Sequence, residues 1–442
     1  MPTTTRKAFG VDPQTVDDLM QRYAETRGIS ERLCDNMATE DYVIQSTADA
    51  SPIKWHLAHV TWFFEAFILA PHDPTYKPLD AQYNYLFNSY YNAIGAQFSR
   101  PRRGHLSRPT VQEIYAYRHH VDHKMMDFLR RQGDGDLKGI GPLVILGLHH
   151  EQQHQELMAT DIKHLLAMNP LQPTLYPRPA DPRPQGVPAL EWLPYEAGLY
   201  EIGYAGNAFH FDNEAPRHRV YVHAFELGSR LVTNAEYLAF MEDGGYQRPE
   251  LWLSLGWTTV CDRVQALHGR DPFDKPLYWF RTDAVWMQYT LAGPRPVHPD
   301  EPVVHVSYYE ADAYARWCGA RLPSEVEWEI ASADADLESG AFQDAWRFHP
   351  DPLSGEAMPG RPHQMFGEVW EWTASAYNPY PGFKPWAGMV GEYNGKFMAN
   401  QMVLRGGSCA TPANHIRPTY RNFFYGPDKW QFMGFRLARD AS

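Results

Sequence analysis

The sequence predicts an α+β protein with two domains, a bundle of long helices followed by a region of short strands and irregular chain. From residue 12 to residue 168, apolar residues recur three and four positions apart, which is the spacing of an amphipathic α-helix. From residue 191 to residue 442, the chain instead carries short strand-like runs separated by frequent glycine and proline turns. We therefore predict one domain in each of these regions.

A proline-dense segment at residues 169–190 separates the two regions. Proline lacks a backbone N–H and has a restricted φ, so this segment cannot continue a helix and favours extended chain. We predict an interdomain linker there. In the second region, the pattern predicts one clear helix from about Tyr308 to Cys318, and strands within Arg219–Phe225 and Val403–Arg405.

The composition favours a folded protein that acts on small molecules. The hydrophobic fraction of 44% and the aromatic fraction of 14% are too high for a disordered chain. A net charge of −13 argues against nucleic acid or an anionic membrane as partner, because both attract basic residues. Four cysteines without a Cys-x-x-Cys pair favour a reduced, cytoplasmic location, and no segment resembles an export signal or a membrane span.

Three of the 20 histidines fall on the inward stripes of two predicted helices. At about 100° per residue, His150 and His154 share the apolar stripe of the helix at 142–166, and His59 lies on the stripe of the helix at 52–69. An i, i+4 pair of imidazoles can bind one ion. We predict that the three histidines hold a single metal ion and leave positions open for substrate, water or O₂. Iron, zinc and nickel all fit these ligands.

Other candidate ligands fit the helical phase less well. His56 and His149 lie at the margins of their stripes, so each is a weaker candidate than its neighbour. A site of two histidines and one carboxylate is disfavoured but stays open, because the acidic residues on the same helix lie off the stripe or a turn away: Glu151, Glu156 and Asp161. A second histidine cluster faces away from its apolar stripe and is predicted to be solvated: His119, His120 and His123.

The same residues carry a family resemblance. Trp55-His-Leu-Ala-His-Val-Thr-Trp-Phe-Phe-Glu and Leu148-His-His-Glu-Gln-Gln-His-Gln-Glu resemble the DinB-like helical bundle of ergothioneine-pathway sulfoxide synthases. Residues 302–307, 321–329, 367–373, 404–408 and 434–438 resemble the formylglycine-generating-enzyme-like module, a variant of the C-type lectin fold. The resemblance covers nearly the whole chain. It implies a DinB-like four-helix bundle at 12–168 and a C-type-lectin-like domain at 191–442.

The resemblance implies a reaction in ergothioneine biosynthesis. A non-haem iron enzyme of this family uses Fe(II) and O₂ to join the sulfur of a cysteine donor to the imidazole ring of hercynine, N-α-trimethylhistidine, as a sulfoxide. On this basis, His59, His150 and His154 match the iron ligands, and Gln153 matches a residue that contacts the substrate imidazole. Asn422 matches the position at the betaine end. The trimethylammonium group suits aromatic neighbours, for which the sequence offers Tyr393, Phe423 and Phe424.

The chain departs from the family pattern at the catalytic tyrosine. Mycobacterial-type members carry it three residues before a substrate-binding tyrosine, and those positions align with Val390 and Tyr393 here. The first domain instead offers Tyr90 and Tyr91, in the segment between the two histidine-bearing helices. A phenol stays protonated at neutral pH, so either residue is a candidate proton donor, and packing of the segment is the competing interpretation.

A second departure concerns the sulfur donor. Members that use γ-glutamylcysteine hold its glutamyl group with an acid and an arginine, but Phe424 takes the place of the acid. Free cysteine is therefore the preferred donor, and γ-glutamylcysteine is the alternative. Guanidinium groups match carboxylates in two-pronged hydrogen bonds, so Arg100 and Arg103 are candidate partners of the donor carboxylate, unless they are surface residues.

Two other functions stay open at this point. DinB-like bundles include metal-dependent thiol transferases that work without O₂, and a lectin-like half can belong to a binding module with structural histidines. The predicted partners are the small molecules hercynine, cysteine and O₂, with a homo-oligomer left open. Lectin-like folds can also hold a structural calcium ion, for which the sequence contains no direct sign.

Overall fold

A computed structural model describes residues 12–135, 137–177, 186–262, 273–353, 360–388 and 391–441. The N-terminal region is a bundle of long helices joined by short ones, and none of its described helices is long and apolar enough to cross a membrane. The helices are α1 (Val16–Arg32), α2 (Ile53–Phe64), α3 (Ala70–His72), α4 (Tyr83–Phe87), α5 (Val111–Arg130) and α6 (Leu137–Ala167).

The helix α2 lies at the centre of the bundle. All twelve side chains from Ile53 to Phe64 are buried, and α2 packs against α4, α5 and α6. It continues directly into a π-helical segment, Glu65–Leu69. The approach of α2 to α6 depends on Gly147, where a Cβ atom would lie 2.7 Å from a ring carbon of Phe64. This glycine lies less than one turn before His150, so the close approach also brings the histidines of the two helices together.

The C-terminal region contains several small sheets rather than one large one. Its strands are β1 (Trp192–Tyr195), β2 (Gly198–Ile202), β3 (His218–Val222), β4 (Phe225–Gly228), β5 (Trp279–Thr282), β6 (Val285–Thr290), β7 (Gly293–Pro296), β8 (Trp370–Ala376), β9 (Gln401–Arg405), β10 (Asn422–Tyr425), β11 (Met433–Gly434) and β12 (Ala438–Asp440). They pair in the orders β1-β4-β12, β2-β3, β5-β6-β7 and β10-β9-β8-β11, antiparallel throughout except for the parallel pair β8-β11. Within the described part of this region, five α-helices accompany them: α7 (Asn234–Glu242), α8 (Ser254–Cys261), α9 (Tyr308–Trp317), α10 (Glu325–Ser332) and α11 (Glu392–Gly395).

The local predictions for this region agree with the structure, with one correction. The helix predicted from about Tyr308 is α9, and the strand predicted at Val403–Arg405 is part of β9. The run Arg219–Phe225 is not a single strand, because β3 ends at Val222 and β4 begins at Phe225 and pairs in a different sheet. The domain boundaries stay predictions, and residues 178–185 of the proline-dense segment lie outside the described residues.

The two regions meet along α6, which is covered on both sides. Toward the bundle, Glu151 is fully buried and accepts hydrogen bonds from Arg27, Arg118 and Ser30 at 2.7–3.0 Å. Toward the C-terminal region, Glu156 accepts from Trp370 Nε1 at 2.8 Å and also from two hydroxyl groups, those of Ser408 and Thr411. A helix with buried carboxylates on opposite faces is held in a defined rotation, which orients the histidines that are predicted to bind a metal.

The ion pairs of Glu151 give a testable stability prediction. Burial alone would raise the pKa of Glu151, but Arg27 and Arg118 outweigh burial and lower it to about 2. Since the folded-state pKa is depressed, the stabilisation is complete above about pH 5 and is lost as pH falls toward 2. Glu151→Gln is expected to lower the free energy of unfolding at pH 7 by about 3 kcal/mol, because it leaves two buried guanidinium groups short of a partner. Urea unfolding at pH 7 and pH 3 measures this, and an equal loss at both values would contradict it.

Candidate active site

The three predicted histidines lie together in the structure. The ligand atoms of His59, His150 and His154 are all within 4.8 Å of one another, and the Nε2 atoms of His59 and His150 are 3.2 Å apart. His59 Nδ1 donates to the carbonyl oxygen of Phe87 at 2.5 Å, which leaves its Nε2 unprotonated. The ring of His59 also stacks on Trp55, with centroids 4.6 Å apart. The ring of this candidate ligand therefore has a fixed orientation without an ion.

All three histidines are in the protonation state that metals require. Burial lowers the pKa of His59 and His154 well below the usual value, and it lowers the pKa of His150 to about 4. Neutral imidazoles at physiological pH offer unprotonated nitrogen atoms to an ion. Of the residues that the structure describes, this is the single group of three or more His, Cys, Asp or Glu side chains close enough to hold an ion, so no acidic cluster for a calcium ion is present among them.

His56 supports the triad rather than joining it. Its Nδ1 lies 2.8 Å from Nδ1 of His154, and its Nε2 lies 3.0 Å from Oδ2 of Asp161. A carboxylate can only accept, so His56 donates to Asp161 and accepts the Nδ1 hydrogen of His154. The relay leaves Nε2 of His154 as the free ligand atom and increases its basicity.

This relay predicts an effect on metal affinity. Asp161→Asn replaces a charged acceptor by a neutral one, so it is expected to weaken metal binding by about 10- to 100-fold. Competition with a metal-binding dye measures the affinity, and Asp122→Asn is the matched control, because Asp122 lies in the same bundle and hydrogen-bonds Tyr23 and Arg27 instead. Equal affinities in the two variants would show that Asp161 does not act on the metal site.

The triad opens into a cavity of about 430 Å³ between the two regions. The bundle contributes the histidines and the segment from Ser89 to Arg103, and the C-terminal region contributes the edge strand β10 and the chain after it. Most of the predicted substrate residues line this cavity: Tyr90, Arg100, Arg103, Gln153, Asn422, Phe423 and Phe424.

Of the two remaining tyrosine predictions, one residue packs in the bundle core and the other has no described side chain. Tyr91 is 5% exposed and packs in the bundle core, with ring centroids 5.9 Å from Trp62 and 5.0 Å from Phe67. Tyr393 belongs to α11, but its side chain lies outside the described residues, as does Val390. The structure therefore separates the neighbours Tyr90 and Tyr91, which the sequence treats alike.

Tyr90 is held in an unusual backbone conformation that directs it into the cavity. Its φ is +65°, in the left-handed region that non-glycine residues seldom occupy. Its N–H donates to Oε1 of Gln97 at 2.8 Å, and its carbonyl accepts from Lys396 of the C-terminal region. The hydroxyl group accepts from Arg100 Nη1 at 2.6 Å. Backbone strain of this kind is typical of functional positions.

The two predicted arginines are cavity residues, not surface residues. Arg103 is 3% exposed, its guanidinium lies 3.3 Å from the ring centre of Trp55, and it donates to the hydroxyl groups of Ser51 and Ser89 at 2.9 Å. Burial, together with the charge of Arg100, lowers the pKa of Arg103 to about 9. No carboxylate of the described chain pairs with it directly, so a buried positive charge faces the cavity.

Sequence reasoning missed the acidic residues on the same wall. Asp49 and Asp428 line the cavity beside Arg100. Burial and the nearby charge of Asp49 raise the pKa of Asp428 to about 7, although Arg100 and the backbone N–H of Tyr425 act in the opposite direction. Asp428 lies close after the Asn422 motif, but only its position on the cavity wall distinguishes it from an ordinary turn residue.

Comparison with known proteins assigns the chain to a family. A model described as "Sulfatase-modifying factor enzyme 1-like domain" matches residues 179–352 and 362–441, and one described as "DinB superfamily" matches residues 22–158. Hercynine oxygenase of Mycolicibacterium thermoresistibile is 33% identical over 423 residues, which cover 88% of this chain and 88% of that protein. The chain belongs to the hercynine oxygenase family. Hercynine oxygenase of Mycolicibacterium smegmatis is 32% identical, over 88% of this chain and 91% of that protein.

Membership of the hercynine oxygenase family confirms the predicted fold class, with a DinB-like bundle before a formylglycine-generating-enzyme-like domain. It also makes the chain an oxidoreductase of the oxygenase type. Ergothioneine biosynthesis protein 1 of Schizosaccharomyces pombe matches as well, at 27% identity over 52% of this chain and 28% of that protein. The three neutral imidazoles fit a metal such as iron in this hercynine oxygenase homologue.

Proposed function

We propose that the protein joins the sulfur of cysteine to the imidazole ring of hercynine, in an Fe(II)- and O₂-dependent reaction that yields a sulfoxide. The observation that carries the proposal is the open, three-histidine site in the wall of a cavity that offers amides and aromatic rings for hercynine and charged side chains for cysteine. When bound, iron would supply the redox chemistry with O₂ that a protein side chain cannot. His59, His150 and His154 would hold it.

The hercynine end of the cavity combines amides with aromatic rings. Gln153 lies one residue before the ligand His154 and lines the cavity, where its amide can bind an imidazole nitrogen. In the C-terminal region, Asn422 and Phe423 of β10 also line the cavity, and Phe423 stacks on Tyr377 with centroids 4.1 Å apart. A trimethylammonium group offers no hydrogen-bond donor and is attracted to such ring faces.

The part of the cavity that would bind the sulfur donor is lined by both basic and acidic side chains. Arg100 and Arg103 suit a carboxylate, and Asp49 and Asp428 suit an ammonium group, which together match the backbone groups of free cysteine. A γ-glutamyl group would add a second carboxylate in the region of Phe424, whose ring packs edge-on against Trp430. Burying that carboxylate against apolar rings would be unfavourable. Free cysteine is therefore the donor that we propose.

Tyr90 is the proton donor that we propose. Its hydroxyl oxygen accepts from Arg100, so a positive charge lies beside the phenol that would release a proton. The guanidinium group of Arg100 occupies one acceptor position of the phenol oxygen and so fixes the orientation of the hydroxyl group. In our proposal, Arg100 also binds the carboxylate of cysteine. Binding of cysteine would therefore influence the position of the Tyr90 hydroxyl group.

The test is oxygen uptake by Fe(II)-loaded protein, prepared without O₂ and then supplied with hercynine and either cysteine or γ-glutamylcysteine. We expect uptake that requires both substrates, a sulfoxide in the mass spectrum, and a higher kcat/KM with cysteine. A higher value with γ-glutamylcysteine would overturn the donor assignment alone. Metal-dependent thiol consumption without O₂ uptake would replace the whole proposal by a thiol transferase.

A further inference from the structure

A chain of hydrogen bonds runs from α1 through both regions to the cavity. Arg22 Nη2 lies 3.0 Å from His149 Nε2, and His149 Nδ1 lies 2.8 Å from His415 Nδ1. His415 Nε2 lies 3.1 Å from the hydroxyl oxygen of Tyr420, which also accepts from Gln153 Nε2 at 2.7 Å. His149, His415 and Tyr420 are at most 4% exposed. The chain therefore links an arginine of the bundle to the proposed imidazole-binding amide.

Arg22 sets the direction of every hydrogen bond in this chain. A guanidinium group can only donate, so His149 Nε2 must accept and its hydrogen must lie on Nδ1. That hydrogen is donated to His415 Nδ1, so the hydrogen of His415 lies on Nε2 and is donated to Tyr420. The opposite tautomers would point an N–H of His149 at the guanidinium of Arg22. Burial lowers the pKa of His415, which agrees with a neutral ring.

Because Tyr420 accepts these hydrogen bonds, its hydroxyl hydrogen is available to a ligand. A phenol oxygen can accept two hydrogen bonds and donate one. Both acceptor positions are taken, by His415 and Gln153. Tyr420 lines the cavity, and across the described part of the chain no hydrogen bond is found in which its hydroxyl is the donor. Its hydrogen is therefore available to an acceptor in the cavity.

We propose that Tyr420 is a further substrate-binding residue that donates this hydrogen to the carboxylate of hercynine. Arg22, His149 and His415 are positioning residues that keep the hydrogen directed into the cavity. The inference rests on the proposed function, because it takes hercynine as the ligand. The carboxylate is the anionic acceptor of that molecule, and a hydroxyl group binds an anion more strongly than a neutral acceptor.

Calorimetric titration of hercynine into Fe(II)-loaded protein without O₂ tests the contact. Tyr420→Phe is expected to raise the Kd about 10- to 100-fold, the value of one hydrogen bond to a charged group. The Kd of the decarboxylated analogue, trimethylhistamine, is expected to be the same in both proteins. If the wild-type protein does not bind hercynine, the proposed function fails. If it binds and the Phe variant loses nothing, or loses as much with the analogue, only this inference fails.

Two substitutions of Arg22 separate positioning from a structural role. Lysine also only donates, so Arg22→Lys is expected to keep the hercynine Kd close to that of the wild type. Glutamine offers a carbonyl oxygen that can accept from His149 Nε2–H, which allows the reversed tautomers and turns the hydroxyl hydrogen of Tyr420 toward His415. Arg22→Gln is therefore expected to weaken hercynine binding toward the Tyr420→Phe value. ¹⁵N NMR should show the His415 hydrogen on Nε2 in the wild type and on Nδ1 in the Gln variant. Equal effects of Lys and Gln would overturn the positioning role.

Discussion

Tyr90→Phe is expected to lower kcat for sulfoxide formation by about 10²- to 10⁴-fold, the usual contribution of a general acid. The substitution removes only the hydroxyl group and keeps the ring, which packs edge-on against Phe397 at a centroid distance of 5.0 Å. The hercynine Kd should not change, because the residues assigned to hercynine lie elsewhere on the cavity wall. The rate is measured at saturating cysteine, so that any effect through Arg100 on thiol binding appears in KM instead.

Tyr91→Phe is the matched control for this prediction. The two residues are adjacent and chemically identical, but Tyr91 packs in the bundle core and Tyr90 lines the cavity. The control should therefore retain nearly full sulfoxide yield. A large loss in Tyr91→Phe with full activity in Tyr90→Phe would reverse the assignment. Full activity in both variants would exclude this segment as the proton source.

His150→Ala is expected to reduce bound iron to a trace and to lower product formation by more than ~100-fold. This loss exceeds the one expected when a residue that only hydrogen-bonds a metal ligand is replaced. Two neutral imidazoles would remain, and they leave an Fe(II) ion with too few protein ligands. Iron content is measured by mass spectrometry of the purified protein after reconstitution, and folding by circular dichroism.

His123→Ala is the control for the metal prediction, because His123 is a bundle histidine whose side chain is 71% exposed. It should bind iron as the wild type does. His150→Gln is a second variant that nearly preserves the volume of the side chain, so it tests whether the effect of His150→Ala comes from the empty space that alanine leaves. Stoichiometric iron in a folded His150→Gln protein with full activity would show that the triad is not the metal site.

The convergence of the three histidines could be predicted because helical phase is a local property. Once α2 and α6 are helices, the positions of His59, His150 and His154 around their axes follow from 100° per residue. The exposed position of His119 and His123 followed from the same arithmetic, but His120, predicted to be solvated with them, is half-buried against the ring of Tyr76. Helical phase did not predict what surrounds α6. The face with the histidines lines a cavity, and the other faces carry the buried carboxylates of Glu151 and Glu156.

The choice between Tyr90 and Tyr91 could not be made in this way. The two residues lie outside the helices, where side-chain direction has no period and depends on individual backbone angles. The positive φ of Tyr90 is maintained by Gln97 and by Lys396, and Lys396 lies in the other region. A single sequence contains no sign of that contact.

The sequence alone determined the α+β class, the two-region order, the three-histidine site and most of the polar residues around it, because periodicity, turn chemistry and short motifs are encoded within a few residues. Tertiary structure decided which tyrosine lines the cavity, that Arg103 is buried beside Trp55, and that Asp428 lies on the cavity wall beside Arg100. It also connected Arg22 to Tyr420. The contact of Arg103 with Trp55 forms within the bundle, but the other features depend on contacts between residues up to several hundred positions apart, so they exist only after the two regions have packed along α6.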